Sequence, residues 1–155
     1  MPKLKAIIVD DEARARNVLN SFLQEYQDDI EVVALCEDVE HAVREIKIHQ
    51  PDLVFLDIEM PNYTGFELVS FFEEVNFEII FVTAYSQFAV RAFEVAAFDY
   101  LLKPIELTRL DQSIKHFIEK KNKDKDALNY QILKESLHDK AVQKIIVSHQ
   151  GMQKA

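Results

Sequence analysis

Short apolar runs alternate with helically spaced segments five times along the chain, which predicts an α/β fold. The expected architecture is a doubly wound, five-stranded parallel sheet in the flavodoxin-like order 2-1-3-4-5, with a C-terminal helical extension. Two observations carry this. The runs are rich in Ile, Val, Leu and Phe and end in polar or turn residues, as strands buried on both faces do. The segments between them repeat apolar residues at spacings of three and four, as helices with one buried stripe do. Right-handed crossovers then place helices on both faces of the sheet.

The elements follow in order. Lys5 to Val9 reads as the first strand, and Ala15, Val18, Leu19, Phe22, Leu23 and Tyr26 as the stripe of the first helix. Glu31 to Leu35 is the second strand, followed by a helix with Val39, Ala42, Val43 and Ile46 inward and Asp38 as its N-cap. Asp52 to Leu56 is the third strand. Thr64 and Glu67 have the spacing of a capping box, opening a third helix with Phe66, Leu68, Val69 and Phe72. Glu78 to Val82 is the fourth strand, and Ser86 is placed to cap a fourth helix carrying Val90 and Phe93. Ala97 to Leu102 is the fifth strand, and Leu107, Leu110, Ile114, Phe117 and Ile118 mark the fifth helix. Pro51 and Pro104 lie beside strand ends, where a missing N–H is harmless.

Composition narrows the function classes. The chain has 155 residues, 48% of them hydrophobic, enough for one ordinary core plus an appendage. No apolar run approaches the ~18 residues of a membrane span, and the N-terminus lacks the apolar core of a secretion signal, so a cytoplasmic setting without membrane contact is expected. Cys36 is the single cysteine, which leaves no internal disulfide and no multi-cysteine zinc site; it reads as a small buried hydrophobe. Only Gly65 and Gly151 are glycines, so there is no glycine-rich phosphate loop for a nucleotide or flavin. The five histidines show no metal-ligand spacing and read as surface residues.

Charge divides the chain. Residues 1–114 hold 9 Lys or Arg against 22 Asp or Glu, a net of −13, and residues 115–155 hold 9 against 5, a net of +4. An acidic body repels nucleic acid. The run KKNKDKD, residues 120–126, interrupts the fifth helical stripe, which resumes at Leu128, Ile132, Leu133 and Leu137. With no Gly or Pro from 105 to 150, a helical linker is expected over 121–142. KIIVS, residues 144–148, reads as a strand opening something new, so 143–155 is expected to begin a truncated C-terminal domain.

The chemistry gathers where strands end. Asp10 and Asp11 follow the first strand, Asp57 the third, Thr83 the fourth and Lys103 the fifth, and the carboxyl ends of parallel strands share one crevice. Three carboxylates brought together repel one another unless a cation is present, and oxygen-only ligands suit Mg²⁺. Lys103 adds a second positive charge and Thr83 a hydroxyl, which makes an electrostatic cradle for a phosphoryl group. Asp57 is then the natural nucleophile, forming an aspartyl-phosphate.

These residues stand in segments that resemble the response regulator receiver domains of two-component signalling: IIVDDE (7–12), LVFLDIEMPNYTGFEL (53–68), IIFVTAY (79–85) and FDYLLKP (98–104). The resemblance spans about 4 to 120 and implies a receiver domain over residues 1–120. It implies that Asp57 accepts a phosphoryl group from a sensor histidine kinase, with Mg²⁺ held by Asp11, Asp57 and the main-chain carbonyl of Glu59 while Asp10 orients a water. It further implies that Thr83 and the Ala84 N–H bind the new oxygens, that Lys103 pairs with the third, and that Tyr100 follows Thr83 as a switch. The face made by the fourth helix, fifth strand and fifth helix is then the homodimer surface, and the Lys103–Pro104 bond is expected to be cis. VRAFEVAAFDYLLKPIEL (90–107) and KIIVSHQG (144–151) resemble receivers joined to a LytTR-type DNA-binding domain, so DNA contact would come only through that missing C-terminal domain.

Two other readings compete with the signalling module. A Mg²⁺-dependent phosphohydrolase using Asp57 would need a group to activate water, and Glu59 is the candidate. A fold that no longer accepts phosphate would show no stabilisation by Mg²⁺.

Overall fold

The computed structural model describes the backbone of residues 2–154 and the side chains of residues 2–142. Five strands, β1 (Leu4–Val9), β2 (Ile30–Cys36), β3 (Leu53–Leu56), β4 (Glu78–Thr83) and β5 (Asp99–Leu102), form one sheet in the order β2-β1-β3-β4-β5. Every neighbouring pair is parallel. Helix α1 spans Ala13–Leu23, α2 Val39–His49, α3 Ala89–Glu94 and α4 Leu107–Lys154.

The middles of the strands are apolar because both faces are covered. Ile7, Val9, Val54, Leu56 and Phe81 join a cluster with Val39, Ala42, Val43 and Ile46 of α2, and with Phe66, Leu68 and Ala92. Alternate residues, Ile8, Phe55 and Val82, turn toward the opposite side and line a groove with Ala15, Leu19 and Phe22 of α1. Phe55 and Phe81 are fully enclosed, each adding about 2 kcal/mol by removal of its ring from water. In α2 the buried positions step 39, 42, 43 and 46, the narrow stripe that the sequence shows.

Local signals behave unevenly. Asp38 caps α2, its carboxylate accepting the His41 N–H at 2.7 Å. At the third helical segment the Thr64 N–H donates to Glu67 at 3.4 Å, but Gly65–Phe71 is a 3-10 helix, not an α-helix. Ser86 does not cap α3: a 3-10 turn over Ser86–Phe88 intervenes, and Phe88 precedes the helix with no side-chain cap. β4 includes Thr83, and β5 begins at Asp99, two residues later than the apolar run suggests.

Helix α3 ends on a residue of the wrong kind for its geometry. The Ala96 N–H donates to the Phe93 carbonyl and the Ala97 N–H to the Ala92 carbonyl, the paired bonds of a Schellman turn. Ala96 sits at φ 58, where the turn favours glycine. The start of α4 is tied to β5 by the fork of Arg109 on Asp99, at 2.8 and 2.5 Å. Burial would raise the Asp99 pKa, but its bonds, chiefly to Arg109, hold it below the usual carboxylate value.

The chain divides into two compact units, Met1–Ile114 and Lys115–Ala155. In the second, α4 continues as one helix with Leu128, Tyr130, Ile132, Leu133 and Leu137 more than half exposed. The main chain is helical across 144–148, where the sequence reads as a strand; a helix satisfies its own hydrogen bonds, whereas a strand needs a neighbour. The domain start expected over 143–155 lies outside the residues whose side chains are described. Among the described residues no helix is long and apolar enough to cross a membrane.

Candidate functional site

Sheet register decides which polar residues meet. Val9 is level with Leu56, so the residues that follow, Asp10 and Asp57, leave the sheet side by side. The Asp57 N–H donates to the Val9 carbonyl at 3.0 Å, and the Asp10 N–H to the Cys36 carbonyl at 3.0 Å. Thr83 is level with Leu102, and the Lys103 N–H donates to the Thr83 carbonyl at 2.8 Å. The Lys103–Pro104 bond is cis.

From β5 the Lys103 side chain reaches both carboxylates, with Nζ 2.7 Å from Asp10 Oδ2 and 3.0 Å from Asp57 Oδ2. Asp10, Asp11 and Asp57 each offer an oxygen within 4.8 Å of the others. Asp10 and Asp57 are buried and Asp11 is exposed. This donor set fits Mg²⁺: hard oxygens only, few enough to leave the ion several waters, with one ligand on the solvent side.

Bonding differs between the two buried carboxylates. Asp57 Oδ1 accepts the Ile58 N–H at 2.7 Å, and Oδ2 faces the lysine. Asp10 Oδ1 accepts the Glu12 N–H at 3.0 Å, and the Asp10 carbonyl accepts from Arg16 Nη1 at 2.7 Å. Burial raises the Asp57 pKa above the ordinary carboxylate value; Lys103 opposes that rise and Asp10 adds to it. Burial alone would lower the Lys103 pKa, but its bonds to Asp10 and Asp57 more than offset that and raise it. The ammonium is therefore held charged.

Thr83, Ala84 and Tyr100 lie around the loop after β4, and Glu59 lies in the segment after β3. Thr83 is fully buried, and its Oγ1 accepts the Tyr85 N–H at 3.4 Å. Tyr100 packs its ring 6.3 Å from that of Phe81 and donates its hydroxyl to the Tyr85 carbonyl. One peptide segment thus links the polar crevice to the face carrying Tyr100. Ala84 and Glu59 are exposed. A groove of about 350 Å³ adjoins the crevice, with Asp10 and Lys103 at its polar end and Val18, Leu19, Phe22 and Ile105 along its walls.

Two contributors escape sequence reasoning. A Cβ at Gly65 would lie 2.2 Å from the Asp57 main-chain oxygen, so only glycine lets the 3-10 helix pass this close to the end of β3. Its N–H donates to the Ile58 carbonyl at 2.9 Å. The only sequence signal is that it is the sole glycine before residue 151, eight positions after Asp57. Arg16 is the other, and it works through a main-chain oxygen, for which no sequence motif exists.

Comparison with known proteins agrees with this fold. Residues 6–115 match the family described as response regulator receiver domain. The transcriptional regulatory protein BtsR of Escherichia coli K12 is 42% identical over 135 residues, covering 84% of this chain and 56% of BtsR. An uncharacterised response regulatory protein of Yersinia pestis is 48% identical over 112 residues, 72% of this chain and 47% of that protein. The chain thus spans about half the length of the curated relatives it matches. Among solved structures, the receiver domain of AraT, a response regulator from Geobacillus stearothermophilus, superposes with a TM-score of 0.73 at 31% identity over 80% of this chain and 99% of that one. The response regulator TrrA of Thermotoga maritima, solved in complex with Mg²⁺-BeF, superposes with a TM-score of 0.64 at 31% identity over 74% of this chain and 98% of that one. On the strength of the matched segment, which holds all four polar strand ends, the chain belongs to the response regulator receiver domain family.

Proposed function

We propose that this chain is a phosphorylation switch in which Asp57 accepts a phosphoryl group from the phosphohistidine of a sensor histidine kinase. The observation that carries the reading is the juxtaposition of three carboxylates within 4.8 Å with the Lys103 ammonium between two of them. In the transfer an Asp57 oxygen attacks phosphorus, the P–N bond breaks as the P–O bond forms, and the imidazole leaves with the electron pair. Asp11, Asp57 and the Glu59 carbonyl would hold Mg²⁺, and Asp10 would orient a water at the site. When bound, the ion neutralises charge on the phosphoryl oxygens. The Thr83 hydroxyl and the Ala84 N–H donate to two of those oxygens. Lys103 moves from the carboxylate to the third.

The output is a shape change on the face formed by α3, β5 and α4. Phosphorylation draws the Thr83 hydroxyl toward the new oxygens, which alters the Tyr85 segment that Thr83 and Tyr100 share. Val90, Phe93, Leu102 and Leu107 are exposed on the three elements, as a homodimer surface requires. The full-length protein is proposed to be a cytoplasmic transcription regulator whose DNA contact comes from a LytTR-type C-terminal domain. BtsR is a transcriptional regulatory protein, and the similarity to it supports the transcriptional role.

The test is mass spectrometry after treatment with acetyl phosphate and Mg²⁺. A long-lived phosphoryl adduct in wild type, absent in Asp57→Asn, is the expected result. Rapid multiple turnover of acetyl phosphate without an adduct would instead identify a phosphohydrolase.

A further inference from the structure

Arg16 lies in the first turn of α1, where a cation is doubly misplaced. The positive end of the helix dipole disfavours it there. So does a neighbouring site built to take a dication. Arg14 shares this turn but is exposed, whereas Arg16 is half-buried and aims back across the loop. Its Nη1 donates to the Asp10 carbonyl at 2.7 Å. Burial pushes the Cys36 thiol up to about 12, and the charges of Arg16 and Arg44 act against that rise.

The Asp10–Glu12 loop is therefore fixed from every side but one. The Asp10 N–H is tied to Cys36, its Oδ1 to the Glu12 N–H, its Oδ2 to Lys103 and its carbonyl to Arg16. Asp11, the next residue, has its main chain oriented by these bonds, while its own carboxylate stays exposed.

We infer that Arg16 is a positioning residue for the metal site, orienting the loop so that the Asp11 carboxylate faces Asp57. The inference rests on the Mg²⁺ site proposed above and adds a residue to it. It also makes a prediction of unusual sign. Charge alone says that removing a cation beside the carboxylates strengthens Mg²⁺ binding, whereas loss of loop positioning weakens it. Outer partners of metal ligands typically contribute 10–100-fold in affinity.

The experiment is calorimetric titration of Mg²⁺ into wild type, Arg16→Met, Arg16→Lys and Arg14→Met, with urea unfolding of each metal-free protein alongside. Methionine keeps the apolar stem and helix propensity of Arg16 while removing the donor. The expected result is that Arg16→Met binds about tenfold more weakly and keeps its metal-free stability. Arg16→Lys, which retains one donor, returns most of the affinity. Arg14→Met, which removes the same charge without removing a bond, binds no more weakly than wild type. Arg16→Met binding as tightly as wild type, or tighter, overturns the inference, and so does an Arg16→Lys protein as weak as the methionine variant. Absence of Mg²⁺ binding in wild type overturns the metal-site reading itself, and the positioning role with it.

Discussion

Lys103 Nζ lies 3.0 Å from Asp57 Oδ2 although 46 residues separate the two, and the same ammonium is 2.7 Å from Asp10. The lysine thus stands within reach of where phosphoryl oxygens would arrive, half-buried and charged. Lys103→Met is expected to slow adduct formation from acetyl phosphate about a hundredfold, the scale for loss of one preorganised donor. Mg²⁺ affinity should not fall, because a repelling cation has been removed. An unchanged phosphorylation rate would show that the lysine only neutralises the resting carboxylates.

Burial of Asp57 sets a pH dependence whose sign can be worked out. Its folded-state pKa is raised above the unfolded value, so the folded protein binds more protons in that window. Stability of the metal-free protein therefore falls as pH rises from the unfolded carboxylate pKa of about 3.9 toward the folded one. Asp57→Asn removes this loss. Urea unfolding at a series of pH values should show the variant gaining on wild type across the window and then holding a constant advantage. A difference that does not vary with pH would mean that the carboxylate carries no such strain.

Gly65→Ala tests the link between packing and the site. The added methyl would sit 2.2 Å from the Asp57 carbonyl oxygen, so backbone must move. A cost of about 1–3 kcal/mol is expected from overpacking. Because the displaced group is the main chain of Asp57, phosphorylation should slow under conditions where the variant remains folded. Circular dichroism melts paired with adduct mass spectrometry separate the two effects, and full phosphorylation in a destabilised variant would confine Gly65 to folding.

The strands were legible because burial on both faces leaves only apolar residues to read, and the crevice was legible because its polar residues are the ones that end those runs. Topology alone brings Asp10, Asp57, Thr83 and Lys103 to one edge of the sheet. What escaped works through the main chain. Arg16 binds a carbonyl and Gly65 makes room for one, and neither has a residue type that advertises it. The third helical segment reads as α because spacing at three and four fits a 3-10 turn nearly as well over seven residues. Ser86 looks like a cap because the extra turn before α3 has no sequence mark.

Ala96 offers a change that should stabilise without touching the site. It holds φ 58 in the turn that ends α3, where a Cβ is unfavourable. Ala96→Gly is expected to add roughly 0.5–1 kcal/mol, relief of strain exceeding the added entropy of the unfolded chain. Chemical denaturation measures it, and a loss of stability would show that the cap tolerates alanine without strain.

Phe93 is 85% exposed on α3, an extreme value for a ring that size, with Val90 one turn earlier and Leu102 and Leu107 exposed on β5 and α4. Aromatic side chains of this kind commonly anchor interfaces, and removing one costs about 2 kcal/mol, a factor of about 30 in affinity. Phe93→Asp also places a charge where a second copy would bury it. Light scattering after phosphorylation should find wild type shifting toward dimer and the variant remaining monomeric. Phe93 is remote in kind from the crevice, being neither donor nor ligand, so both proteins should take up phosphate at the same rate. A variant that dimerises as readily as wild type would exclude the α3, β5 and α4 face as the contact between copies.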